Sequence, residues 1–100
     1  MAAAMARYRI IHWRNIPSLV EAVDGERTVR RPLSQRFQDL IDAVAMREGA
    51  SDSEAYLEGW GQEAEAERPG SAQSVAEQVA AEIEAGFQHL LAERFLGPHA

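Results

Sequence analysis

The side chains with chemistry to offer in this 100-residue chain are three histidines, sixteen carboxylates and ten arginines. They are not spaced as a reactive site. His12 falls in a strand-like stretch, His89 in a helical one and His99 near the end of the chain. No two histidines stand at the i, i+4 separation of a helical metal site. With no cysteine at all, thiolate metal sites, disulfides and thiol catalysis are excluded. A general base also needs a positioned nucleophile or an orienting carboxylate beside it, and sequence shows neither. The histidines therefore read as ordinary polar or half-buried imidazoles. Glu63, Glu65 and Glu67 alternate, so a strand would present all three on one side, where a divalent ion could bind weakly. The commoner use of such a row is to keep an edge strand from pairing with other chains. There is no Gly-rich phosphate loop, nucleophile elbow or metalloprotease helix, and the serines sit where helix caps are expected. Neither a cofactor nor catalysis by this chain alone is expected.

Arginine is the sole basic side chain besides histidine. A GC-rich genome would favour it over lysine without functional reason, but arginine also suits two-pronged recognition of carboxylate or phosphate. Residues 1–50 carry eight Arg against six acids, a net of +2, and residues 51–100 carry two Arg against ten acids, a net of −8. The total of −6 argues against a nucleic-acid partner, which requires a basic footprint. Trp13, Arg14, Arg30, Arg31 and Trp60 are the candidate partner-binding residues, because Trp and Arg combine contact area with directed hydrogen bonds. The two tryptophans equally suit a core between sheet and helices with arginine at its rim.

The elements that must position these residues form a single domain. Tyr8 to Trp13 is rich in β-branched and aromatic residues and reads as a first strand, closed by Pro17, with Tyr8, Ile10 and His12 on one face and Arg9, Ile11 and Trp13 on the other. Ser18 to Asp24 reads as a second strand in a hairpin with the first. Asp24-Gly25 is a turn, and Arg27 to Arg31 a short third strand. Leu33, Phe37, Leu40, Ile41, Val44 and Ala45 form the apolar stripe of a helix, with Ser34 as N-cap and Gly49 at its left-handed end. Ser51 and Glu54 have capping-box spacing for a short helix through Tyr56 and Leu57. Trp60 to Glu67 reads as an acidic edge strand, broken by Arg68-Pro69-Gly70. A last helix over roughly 72–95 buries Val75, Val79, Ile83, Phe87, Leu90 and Leu91, with Glu77, Glu82 and Glu84 facing water, and ends at Gly97-Pro98. The order β-β-(β)-α-α-β-α predicts an α+β fold: a small, mostly antiparallel sheet with helices packed on one face. Residues 7–96 form this domain, between a disordered N-terminal extension, 1–6, and a tail, 97–100. No apolar run is long enough for a signal peptide or a membrane span, so a soluble, cytoplasmic protein is expected.

Several strings have a counterpart elsewhere. Trp13-Arg14-Asn15-Ile16-Pro17, Asp24-Gly25, Leu33-Ser34-Gln35-Arg36-Phe37-Gln38, Ile41-Asp42, Ala45-Met46-Arg47 and Ala55-Tyr56-Leu57-Glu58 resemble the small bacterial domain family known as "virulence factor". The resemblance runs from Ala6 to Phe87 and includes short stand-alone proteobacterial proteins. The acidic Gln62–Glu67 segment departs from the family pattern. The family offers no catalytic residues to carry over. Its stand-alone members tend to be encoded near proteins of folate- and corrinoid-linked methyl transfer, including methylenetetrahydrofolate-reductase-like proteins. The resemblance thus implies an accessory subunit of one-carbon metabolism.

The expected function is a non-catalytic interaction module that binds a larger cytoplasmic protein, such as a methylenetetrahydrofolate-reductase-like enzyme or a corrinoid methyltransferase component. The alternative is a small anion-binding domain whose arginines hold folate or phosphate. No membrane partner is expected, and the apolar stripes of the two long helices leave a homodimer open.

Overall fold

The computed structural model describes residues 5–94 apart from 26 and 51. The fold is α+β, built from β1 (Met5–Trp13), β2 (Ile16–Asp24), β3 (Arg27–Pro32), α1 (Gln35–Arg47), α2 (Ser53–Glu58), β4 (Trp60–Gln62), β5 (Ala66–Pro69), α3 (Ala72–Ala85) and α4 (Phe87–Arg94). The strands form one antiparallel sheet ordered β3-β2-β1, and the second edge of β1 is shared by β4 and β5. Helix α3 lies across β1, β2 and β3, and α1 packs against β2. The core between them holds Val20, Ala22, Phe37, Ile41, Val44, Val75 and Val79. At about 25 cal/mol per Å² of apolar surface, such burial is the main source of stability. No described helix is long and apolar enough to cross a membrane.

Four features differ from the sequence expectation, each for a local reason. Strand β1 begins at Met5, not after residue 6, because Ala6 is fully buried and pairs with Arg68 of β5. Residues 1–4 of the expected extension, and 95–100 with the expected tail, His99 and helix end at Gly97-Pro98, lie outside the described residues. Pro17 does not close β1 but belongs to β2. It sits where the register shifts: Ile11 opposes Leu19 while His12 opposes Pro17, a break in the ladder where the missing N–H is tolerated. The expected helix over 72–95 is two helices, split at Gly86, which is the weakest helix former on that stretch. The break lets Phe87 meet Phe37 edge-to-face, with ring centroids 4.9 Å apart. The expected edge strand over 60–67 is β4 and β5 with 63–65 between them; both add to β1.

The helix ends are tied by side chains. At α1, Gly49 takes the left-handed conformation (φ 72°) expected of it. At α2 the capping side chain is Asp52, which accepts from the Ala55 N–H at 2.9 Å; the expected cap, Ser51, lies outside the described residues. At α3, the Ser71 hydroxyl accepts from Ser74 N–H at 3.1 Å. The Asp24 carboxylate adds a second bond by accepting from Ala72 N–H, linking the β2–β3 turn to the helix.

Glu77, Glu82 and Glu84 do not simply face water. Each takes an arginine: Arg31 of β3 to Glu77 at 2.8 Å, Arg68 of β5 to Glu82 at 2.6 and 3.0 Å, and Arg36 of α1 to Glu84 at 3.0 Å. Glu84 also accepts from the Ser34 N–H at 2.6 Å and hydroxyl at 2.8 Å, so Ser34 spends its side chain on α3 and makes no cap bond to α1. The ion pairs fasten α3 to strands at both edges of the sheet, β3 and β5, and to α1. Exposed pairs of this kind contribute little individually because solvent screens them; their collective effect is to set the helix's position.

Partial burial pushes the Glu84 carboxyl upward, but its bonds to Ser34 and Arg36 outweigh that and lower its pKa below 4.5. The Arg68 hydrogen bond likewise lowers Glu82, and that partner in turn raises Arg68. Carboxyls depressed in the folded state bind fewer protons there than in the unfolded chain. Their contribution is fully present above the ordinary carboxylate range and is lost as pH falls through the depressed folded values. Glu84→Gln should therefore flatten the loss of thermal stability below about pH 4.5 while lowering the Tm at pH 7, as read by circular dichroism across a pH series.

Candidate interaction surface

The five residues expected to meet a partner do not form one patch. Trp13 is fully buried. Strict alternation sets it with Arg9 and Ile11, but beyond the register shift that leaves Ser18 of β2 unpaired, Trp13 joins the core with Ile16, its neighbour across the hairpin. Its indole N–H donates to the Tyr56 carbonyl at 2.7 Å, and its ring stacks on Tyr56 with centroids 5.7 Å apart. Trp60 is half-buried and meets Tyr56 edge-to-face at 5.9 Å. Arg14 takes the left-handed backbone conformation (φ 52°) in the β1–β2 turn, lies over the Trp13 ring at 4.7 Å and pairs with Glu48. These three therefore close the hairpin end of the core. Of the two candidate arginines on β3, Arg31 is engaged by Glu77 on the helix side of the sheet. Arg30, the next residue back along the strand, projects to the opposite face, with its side chain 60% exposed.

That opposite face is where the remaining arginines gather. No described helix packs on it. The register places Arg9, Glu21 and Arg30 in one row, with Glu21 bonded to Arg9 at 2.9 Å and 3.8 Å from Arg30. The Glu21 side chain is 13% exposed against 35% for Arg9, so the acid is sunk between two presented cations. The adjoining row runs Pro32, Leu19, Ile11 and Gln62, mostly apolar, and the row on the other side runs Thr28, Val23, Arg7 and Glu67. Arg7 is exposed and has no ion-pair partner among the described residues. Arg7, Arg9, Ile11 and Leu19 thus belong to the surface. Period-2 alternation groups Arg9 with Ile11, yet each face of the strand mixes apolar and polar side chains, and nothing in composition says which face the helices take.

The groups with catalytic potential stay apart. His12 Nδ1 is buried without a hydrogen-bond partner among the described residues, and His89 is an exposed neighbour of Glu93 at 3.4 Å. Glu63, Glu65 and Glu67 are all exposed. Among the described residues, no group of three or more histidines and acids is placed to hold a metal ion. A groove of about 240 Å³ between α1 and α4 is lined by Leu40, Ala43, Phe87 and Leu91, with Arg36 and Asp39 at its rim. It is smaller than the usual ~300–1,000 Å³ ligand pocket, and Arg36 is already bonded to Glu84.

Gly59 is required by Trp13: a Cβ there would stand 2.4 Å from the indole nitrogen. Gly59→Ala should destabilise the protein by about 1–3 kcal/mol. The same variant should shift the tryptophan emission of the folded protein; an unchanged Tm and spectrum would contradict the packing described here.

No curated protein and no solved structure matches the chain. A family model does, that of the virulence factor family, over residues 11–93. The matched span takes in the β1–β2 turn with Trp13, both long helical segments and the strands β4 and β5 that complete the sheet. The chain belongs to the virulence factor family.

Proposed function

We propose that the protein is a non-catalytic interaction module that docks a larger protein on the open face of its sheet. The observation that carries this reading is the division of the arginines. Arg31, Arg36 and Arg68 are used to fasten α3, and Arg14 is paired with Glu48. Arg7 and Arg30 are presented around Ile11 and Leu19 on a face that no described helix covers, with Arg9 beside them bonded to Glu21. An antiparallel sheet solvated on one side normally carries polar residues there; here apolar side chains stand beside cations. Such a surface suits a partner with an apolar centre flanked by carboxylates, since charge complementarity sets register and approach.

The family resemblance supplies the class of partner: a cytoplasmic enzyme of folate- or corrinoid-linked methyl transfer, for which this chain would be an accessory subunit. A small anion held by an arginine cluster has less support. Arg9 and Arg30 already share Glu21, and the groove between α1 and α4 lies away from them.

Tagged protein purified from its native host should retain a stoichiometric larger protein. Leu19→Asp and Arg30→Glu should each cut its recovery by about tenfold or more, with little change in Tm. Arg31→Ala, on the other side of the sheet, should leave recovery intact. Equal recovery with all three variants would overturn the assignment of the open face.

A further inference from the structure

The two edges of the sheet are not alike. On one side β4 and β5 are short, separated over 63–65, and bordered by the exposed Glu63, Glu65 and Glu67. On the other, β3 is an unbroken strand of six residues whose one neighbour in the sheet is β2. Leu33 N–H donates to the Ser18 carbonyl at 2.9 Å. The same register continues through Val20 with Arg31, Ala22 with Val29 and Asp24 with Arg27. In the alternation of an antiparallel ladder, these are the residues that bond to β2. Thr28, Arg30 and Pro32 therefore turn their backbone polar groups outward. Thr28 and Arg30 offer N–H and C=O, while Pro32 has no N–H and its C=O already accepts from the Arg31 guanidinium. Proline stands where its missing N–H costs the sheet nothing, and it ends the available row.

The charges along this edge discriminate between occupants. If two copies paired antiparallel about Val29, Arg27 of one would stand opposite Arg31 of the other, and like charges directly opposite are destabilising. For an acidic strand the same side chains are attractive. Arg27 is exposed with no ion-pair partner among the described residues, and Arg30 is 60% exposed on the other face of the sheet. The edge thus offers one available cation to each face, on either side of the outward backbone of Thr28.

We propose that β3 accepts an extended acidic segment of a partner protein as an added strand, the charges that oppose self-pairing selecting the partner. Main-chain bonds to Thr28 and Arg30 would give affinity, and carboxylates beside Arg27 and Arg30 would give specificity, as in strand addition generally. This rests on the interaction-module reading and specifies its mode.

The test is selection of displayed random heptapeptides on the full chain, followed by amide exchange of the complex by NMR. The selected peptides should be enriched in Asp and Glu. They should slow exchange at Thr28 and Arg30 while leaving Val29 and Arg31, already bonded to β2, unchanged. Arg27→Glu should weaken their binding by about tenfold. Thr28→Pro, which removes an outward N–H, should do the same; if that variant fails to fold, Arg27→Glu and the exchange pattern decide. Peptides without acidic enrichment, failure to select any peptide, or protection centred on Ile11 and Leu19 would overturn the proposal. The two readings fail separately. Partner recovery lost with Leu19→Asp but intact with Arg27→Glu would leave the open face standing and remove the edge. The opposite pattern would remove the face and keep the edge.

Discussion

The structure depends on a shortage of helix. A chain of this size can build a sheet with two broad faces, yet its long helical segments suffice to cover one of them. Helix α3 does most of the covering, and its placement is enforced by ion pairs to β3, β5 and α1 together with the Asp24 carboxylate at its first turn. Once α3 is seated, the faces have different chemistry. The covered side spends its arginines on α3, whereas the open side leaves Arg7 and Arg30 exposed beside the Arg9–Glu21 pair.

The same constraint explains the fate of the aromatic residues. Trp13 looks like an interface residue because of its type and its arginine neighbour, but Tyr56 from the short helix α2 and the close approach of Gly59 enclose it, and the indole becomes the plug of the hairpin end. Arg14 then serves as a lid over the ring, held by Glu48. What resembles a recognition motif in one dimension is a packing device in three.

Much of the fold could be read from residue patterns. The stripe Phe37, Leu40, Ile41, Val44 repeats at helical spacing, and the turns at Asp24-Gly25 and Gly49 announce themselves by residue type. Three things could not be read. The Ile11/His12 register shift has no local signature, since Pro17 looks as much like a strand terminator as a tolerated irregularity, and alternation alone does not say that Trp13 is buried while Arg9 and Ile11 are not. Gly86 is visible as a weak point in the last helix, but that Phe87 beyond it packs on Phe37, fifty positions away in sequence, is not. The partnering of Glu77, Glu82 and Glu84 depends on which strands lie beneath α3, so periodicity alone leaves them as solvated acids. The candidate surface is half legible for a related reason: Arg30 stands out in sequence beside Arg31, but Arg7 and Arg9 gain meaning only once the covered face is known.

The central position of β1 has a consequence for the order in which the molecule can be assembled. One edge of β1 is filled by β2, the very next strand, whereas the other waits for β4 and β5, which are encoded after two intervening helices. On the ribosome, the three-stranded meander and α1 can form from chain already synthesised, with an unfilled central edge facing solvent. Residues 60–69 must emerge to seal it, and α3 must follow to cover the meander's apolar face. Such late, long-range pairing is the slow part of folding. The nascent chain therefore passes through a stage in which its most strand-prone segment is half exposed, guarded chiefly by the arginines it carries.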